Sequence, residues 1–155
     1  MNDTGRRHPP HFAPIERHNT AIILFVTICT RERKPLLANP RTHELLRIAW
    51  QTQPSWLVGR YIVMPDHIHL FCAPEDLVPL PVQPWVRFWK SYVSKNWTDS
   101  GQLPIWQRHF WDTQLRRGDS YETKWDYVMD NPVRAGLVRR SEDWPYQGEL
   151  NILDW

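Results

Sequence analysis

Two histidines one residue apart, His67 and His69, lie in the stretch Tyr61-Ile-Val-Met-Pro-Asp-His-Ile-His-Leu-Phe-Cys72. Tyr61 to Met64 reads as a strand, Pro65-Asp66 as a tight turn, and His67 to Cys72 as the returning strand. Residues i and i+2 of a strand share a face, so the two imidazoles stand side by side while Ile68 points into the core. Two imidazoles on one face of a rigid element form half of a divalent-metal site. Taken alone, such a pair is more simply two polar positions on a solvated sheet face, because a metal needs further ligands.

Residues 119–138 supply candidates for the rest. Gly118 and Asp119 predict the start of a helix over about 119–131, with Asp119 as N-cap and Glu122 three residues on, as in a capping box. Pro132 predicts its end. At about 100° per residue, Tyr121, Trp125, Val128 and Met129 gather into an apolar stripe. Tyr127 falls nearly opposite that stripe, so core filling does not explain its ring, and Asn131, four residues on, shares its flank. An exposed tyrosine and a helix-ending asparagine would account for either residue separately. Together with His67 and His69 they could make a phenol nucleophile and an amide third ligand at a two-histidine metal site.

The elements that must position these groups follow from hydrophobic patterning. Residues 21–29 form a nearly continuous apolar, β-branched run, as for a central strand covered on both faces. Asn39-Pro40 opens a helix that Pro54 stops, and a second helix is expected over about 85–97. A further strand lies within Ile105 to Leu115. The order β-α-β-β-α-β-α predicts an α+β, ferredoxin-like antiparallel sheet with an extra C-terminal helix that carries the tyrosine. In that topology the first and third strands are central, which would hold the histidines rigidly in mid-sheet.

With 155 residues the chain is long enough for one core. Three segments are expected: a flexible N-terminal tail over 1–19, a single catalytic domain over 20–147, and an acidic C-terminal tail over 148–155. No run of about 18 apolar residues is present, as a membrane span would need, and the N-terminus lacks a signal-peptide pattern. The cytoplasm is the expected compartment. Cys29 and Cys72 fall inside predicted strands and read as buried thiols. The first 140 residues hold 19 bases and 13 acids, a net of +6, which suits a polyanionic partner. Ten tryptophans add flat faces on which unpaired bases can stack.

With these residues in place, the chain resembles the REP-associated tyrosine transposases, a bacterial branch of the single-tyrosine HUH nucleases and transposases. The matching segments are Phe25 to Arg31, Tyr61 to Leu70, Trp106-Gln-Arg-His-Phe-Trp-Asp112 and Tyr127-Val-Met-Asp-Asn-Pro-Val-Arg-Ala-Gly-Leu-Val138. They run in the family's order through residues 21–147. The resemblance implies that His67 and His69 are metal ligands, that Tyr127 is the nucleophile, and that Asn131 is a third ligand where related transposases carry Gln. Asp66 stands where many relatives have Asn, and His109 and Trp111 also depart from the family's usual residues.

The resemblance further implies cleavage and rejoining of single-stranded DNA with Mg²⁺ or Mn²⁺, through a 5′-phosphotyrosine. The partner would be a palindromic repeat hairpin with a flanking tag, met by a monomer or homodimer near the nucleoid. Arg87, Lys90, Lys95, Arg108, Arg116, Arg117, Arg134, Arg139 and Arg140 are the candidate DNA contacts. The main alternative is a single-stranded nucleic-acid-binding protein on the same fold, without catalysis. A histidine-triad hydrolase would want a third histidine at position 71, where this chain has Phe.

Overall fold

The structure, a computed structural model, describes residues 22–76, 80–116 and 119–153. Its elements are β1 (Leu24–Cys29), α1 (Pro40–Thr52), β2 (Trp56–Val63), β3 (His67–Pro74), α2 (Gln83–Lys95), β4 (Trp111–Gln114), α3 (Tyr121–Met129), a short α4 (Asn131–Arg134) and β5 (Gln147–Glu149). The strands form one antiparallel sheet in the order β4-β1-β3-β2-β5. The expected ferredoxin-like arrangement is therefore present, with β1 and β3 in the middle. The stretch read as an acidic tail supplies β5, an added outer strand beside β2.

Alternation along the strands divides the apolar residues between two layers. Leu24, Val26 and Ile28 of β1, with Ile68, Leu70 and Cys72 of β3, meet Trp50 of α1 and Trp85 and Trp89 of α2. The opposite face carries Ile23, Ile62 and Phe71, covered by Tyr121, Trp125 and Val128 of α3 together with Trp144 and Leu153. Thr27, His67 and His69 continue that second face, since β1 and β3 pair Thr27 with His69 and Cys29 with His67. Six of the ten tryptophans (Trp50, Trp56, Trp85, Trp89, Trp125 and Trp144) are buried, so few indole faces remain for a partner.

Local chemistry sets the boundaries. Asn39 caps α1 by accepting the Thr42 N–H at 2.9 Å, with Pro40 in the first turn, where its missing N–H costs nothing. The strand expected within 105–115 shortens to four residues. Trp106 makes only an isolated bridge to Thr30, and Ile105 and Phe110 turn into the core beside α1 and α2. The last helix also differs from expectation. Ser120, not Asp119, is the N-cap, accepting the Thr123 N–H at 3.1 Å, while the Asp119 carboxylate accepts the Arg116 N–H at 2.5 Å. The helix stops at Met129, and Asn131 opens α4 with Pro132 in its first turn.

Candidate functional site

The rings of His67 and His69 stand on the face shared with α3, their centroids 4.8 Å apart and their planes at 74°. Each ring is oriented through Nδ1. Thr27 Oγ1 lies 2.9 Å from the His69 Nδ1, and Phe25 stacks on the same imidazole at 5.1 Å. The His67 Nδ1 lies 2.7 Å from the Asp66 carboxylate, which also accepts from the Arg33 Nε at 3.0 Å. The imidazole N–H donates to that carboxylate, so Nδ1 cannot also accept from the Arg33 Nη2 at 3.4 Å. The Nε2 of His67 then carries a lone pair. With Thr27 accepting from Nδ1–H, so does the Nε2 of His69.

Electrostatics favour neutral rings. Burial pushes the His69 imidazole down to about 3, helped by the charges of His67, Arg134 and Arg33. Burial also lowers His67, outweighing the raising effect of Asp66. Burial alone would raise the Asp66 carboxyl, but the bonds from His67 and Arg33 hold it below its ordinary value. A neutral imidazole is the form that binds a metal, and a carboxylate behind it fixes the ring and raises its basicity.

Tyr127 is 68% exposed, as its position on the helical wheel predicts. Its neighbour in space is Arg134. The guanidinium lies 4.1 Å over the phenol ring, and its Nη2 donates to the Tyr127 carbonyl at 2.9 Å and to the Asn131 Oδ1 at 2.6 Å. One cation thus gathers the phenol and the amide, and the same cation contributes to lowering the His69 pKa. The α3–α4 junction is tied down separately, where the Ser141 hydroxyl donates to the Asp130 carboxylate. At its other end α3 docks through Tyr121, whose ring meets Phe71 at 4.9 Å and whose hydroxyl accepts the Arg60 N–H at 2.9 Å.

Two neutral imidazoles with engaged Nδ1 atoms suit a divalent ion. Among the described residues no cluster of three or more His, Cys, Asp or Glu side chains is placed to hold a metal. A third protein ligand would have to come from another donor, and the Asn131 amide oxygen is of a suitable type. In this structure that oxygen accepts from Arg134.

The basic residues are distributed unevenly. Arg87 and Lys95 are exposed on α2, which covers the sheet face opposite the histidines. Lys90 directs its ammonium onto the Gln107 carbonyl at 2.9 Å. Arg108 is exposed on the approach to β4 and Arg116 just beyond it. Arg139 and Arg140 are exposed after α4, with Arg140 3.5 Å from the Asp143 carboxylate. Arg117 lies outside the described residues. Sequence reasoning did not anticipate Thr27, Arg33 or the supporting part of Asp66. The β1–β3 register, once drawn, would have found Thr27.

No protein-family model matches the chain. It is 28% identical over 127 residues to the REP-associated tyrosine transposase of Escherichia coli (strain K12), covering 79% of this chain and 73% of that protein. It is 33% identical over 110 residues to a Haemophilus influenzae protein named for the same family, covering 60% of this chain and 62% of the relative, just under two thirds of its length. Among solved structures, a REP-associated tyrosine transposase bound to a REP hairpin superposes with a TM-score of 0.68 at 25% identity, covering 88% of this chain and 82% of that one. In sequence and in fold alike, the chain is similar to the REP-associated tyrosine transposases.

Proposed function

We propose that this chain is a divalent-metal-dependent nuclease and strand transferase that opens single-stranded DNA at repeat hairpins through a 5′-phosphotyrosine at Tyr127. The observation that carries the reading is the pair of adjacent imidazoles, each engaged at Nδ1, on the sheet face that α3 crosses. It is supported by the name of the E. coli relative and by the hairpin bound to the solved neighbour.

Cleavage requires a nucleophile in line with the leaving oxygen and stabilisation of charge gathering on the phosphate. An Mg²⁺ or Mn²⁺ ion held by His67, His69 and Asn131 would supply Lewis-acid polarisation of the phosphate oxygens. The Tyr127 oxygen attacks phosphorus, the bond from phosphorus to the 3′ oxygen breaks, and a 5′-phosphotyrosine and a free 3′-OH result. The phenol gives up one proton and the departing 3′ oxygen takes one up, so protons balance. The exposure of Tyr127 lets its hydroxyl meet a backbone that an unpaired strand can reshape. Reversal by the 3′-OH of a second strand rejoins DNA and regenerates the phenol, with no nucleotide cofactor consumed.

The test is a hairpin oligonucleotide labelled at its 3′ end, incubated with Mn²⁺ and resolved on a denaturing gel. Wild type should carry the label covalently, and Tyr127→Phe should not while still binding the strand. An intact oligonucleotide with wild type, or an adduct that survives in Tyr127→Phe, would overturn the reading; binding without cutting returns it to the single-strand binder.

A further inference from the structure

At the β4 edge of the sheet, with β1 between it and the histidine strand, lies an open cavity of about 440 Å³ lined by Arg31, Trp106, Arg108 and Trp111 among others. Its volume falls within the usual range for one small ligand. Among the described residues no Asp or Glu lines it, and no side-chain partner holds the Arg31 or Arg108 guanidinium. A second, smaller cavity shares Arg108 and adds Arg87, so positive charge continues along this edge.

The groove's relation to the site follows from strand register. Thr27 pairs with His69 on one side and with Trp111 on the other, so the three residues stand abreast on one face. Trp111 is therefore two strand spacings from His69, about 10 Å. The two indoles are held differently. The Trp106 Nε1–H donates to the Lys90 carbonyl at 3.1 Å and its ring meets Trp89 at 5.6 Å, so it is fixed. The Trp111 Nε1–H is buried without an acceptor among the described residues. An orphaned donor is costly, and a turn of the ring toward a ligand oxygen would relieve that cost.

Two indoles and two guanidinium groups lining one groove, with no acid among its described lining residues, suit a ligand that is flat and anionic. An unpaired nucleotide has both properties, whereas a base stacked inside a duplex cannot offer its face. We propose that this groove seats one unpaired nucleotide of the strand flanking the cut phosphate, its base against Trp111 and its phosphate toward Arg31 and Arg108. The inference rests on the DNA-processing reading above and adds a place where a single base, rather than the hairpin as a whole, is held.

The test uses full-length Tyr127→Phe protein without metal, so that cleavage plays no part, and fluorescence anisotropy with a labelled hairpin bearing single-stranded flanks. A set of hairpins, each lacking one flanking base, scans the strand. Adding Trp111→Ala should weaken binding of the intact hairpin roughly 5- to 100-fold, the equivalent of one lost base stack. For one abasic hairpin the same change should matter less than about twofold, because the base it would lose is already gone. Trp111→Phe should keep most of the affinity, which separates stacking from misfolding. Arg31→Ala, an exposed change, should reduce the salt slope by about one. Equal weakening across all abasic hairpins, or no weakening of the intact one, would overturn the groove. Its failure would leave covalent cleavage by Tyr127 intact; absence of the adduct with a clear abasic response would sink the nuclease reading and spare the groove.

Discussion

Arg134 donates to the Asn131 Oδ1 and covers the Tyr127 ring, so a cation of the protein's own is seated on the oxygen that a metal would need. For Asn131 to ligate, its oxygen must either release that bond or offer its second lone pair beside a positive charge. Arg134→Ala removes the competing donor and a positive charge that also acts on His69, and both changes favour a divalent ion. Mn²⁺ affinity, read by calorimetry in the Tyr127→Phe background, should rise about 3- to 10-fold, the size expected for a largely exposed charged hydrogen bond. Unchanged affinity would remove Asn131 from the ligand set. Asp66 holds the Nδ1 of His67, the ring nitrogen away from the proposed metal. Asp66→Ala should weaken Mn²⁺ binding about 10- to 100-fold, as loss of a supporting carboxylate does. Asp66→Asn should weaken it less, since an amide oxygen still accepts from the imidazole N–H. Equal losses in the two variants would mean that charge, not ring orientation, is what Asp66 provides.

Helix α3 delivers Tyr127 only if its other end is seated, and that seat depends on Gly59. A Cβ at this position would lie 2.5 Å from the Leu153 Cδ1 and 2.6 Å from the Tyr121 hydroxyl. The β2–β3 register shifts between Val58 and Tyr61, and it is next to Gly59 that the Arg60 N–H reaches Tyr121. Gly59→Ala should cost about 1–3 kcal/mol, seen as a melting point several degrees lower. It should slow adduct formation while leaving Mn²⁺ binding near wild type, because the histidines sit on β3. Equal damage to both would show that β2 and the proposed metal site are one unit. Much of this arrangement is legible in the sequence: the apolar run at 21–29, the strand alternation at 61–72 and the stripe of Tyr121, Trp125 and Val128 each carry a period that names their element. What is not legible depends on tertiary pairing. The segment Gln147-Gly-Glu149 has too few residues for a pattern and becomes a strand because the edge of β2 is open to it. The break at Met129 arises because Pro132 can start a helix as well as end one, and Thr27 supports His69 only through register.

At the scale of the whole molecule, a basic body suits DNA, yet not every base is available to it. Lys90 is the clear exception: its ammonium is turned inward onto the Gln107 carbonyl, joining α2 to the segment that leads into β4. Burial, helped by the charge of Arg87, lowers its pKa from an ordinary 10.5 to about 8. The sign of the consequence follows from linkage. Below pH 8 both folded and unfolded chains hold the proton, and the fold bears the cost of a buried charge. Between pH 8 and 10.5 the unfolded chain binds more protons, so stability rises with pH, and this contribution is complete above 10.5. Burial also raises Tyr121, to about 12, and Cys72 above its ordinary 9.0, and both work the other way as pH rises. The lysine's share is thus read over pH 8–10 against a variant that keeps both groups. Thermal melts of wild type should therefore gain stability across pH 8–10 relative to Lys90→Met, which has no group to titrate at that position. At pH 7 the same variant should bind a hairpin oligonucleotide as tightly as wild type and with the same salt slope, whereas Arg108→Ala should lower that slope by about one. A salt slope lowered by Lys90→Met would mean that the lysine leaves Gln107 to meet phosphate, and that the sheet-edge segment it anchors moves when DNA binds.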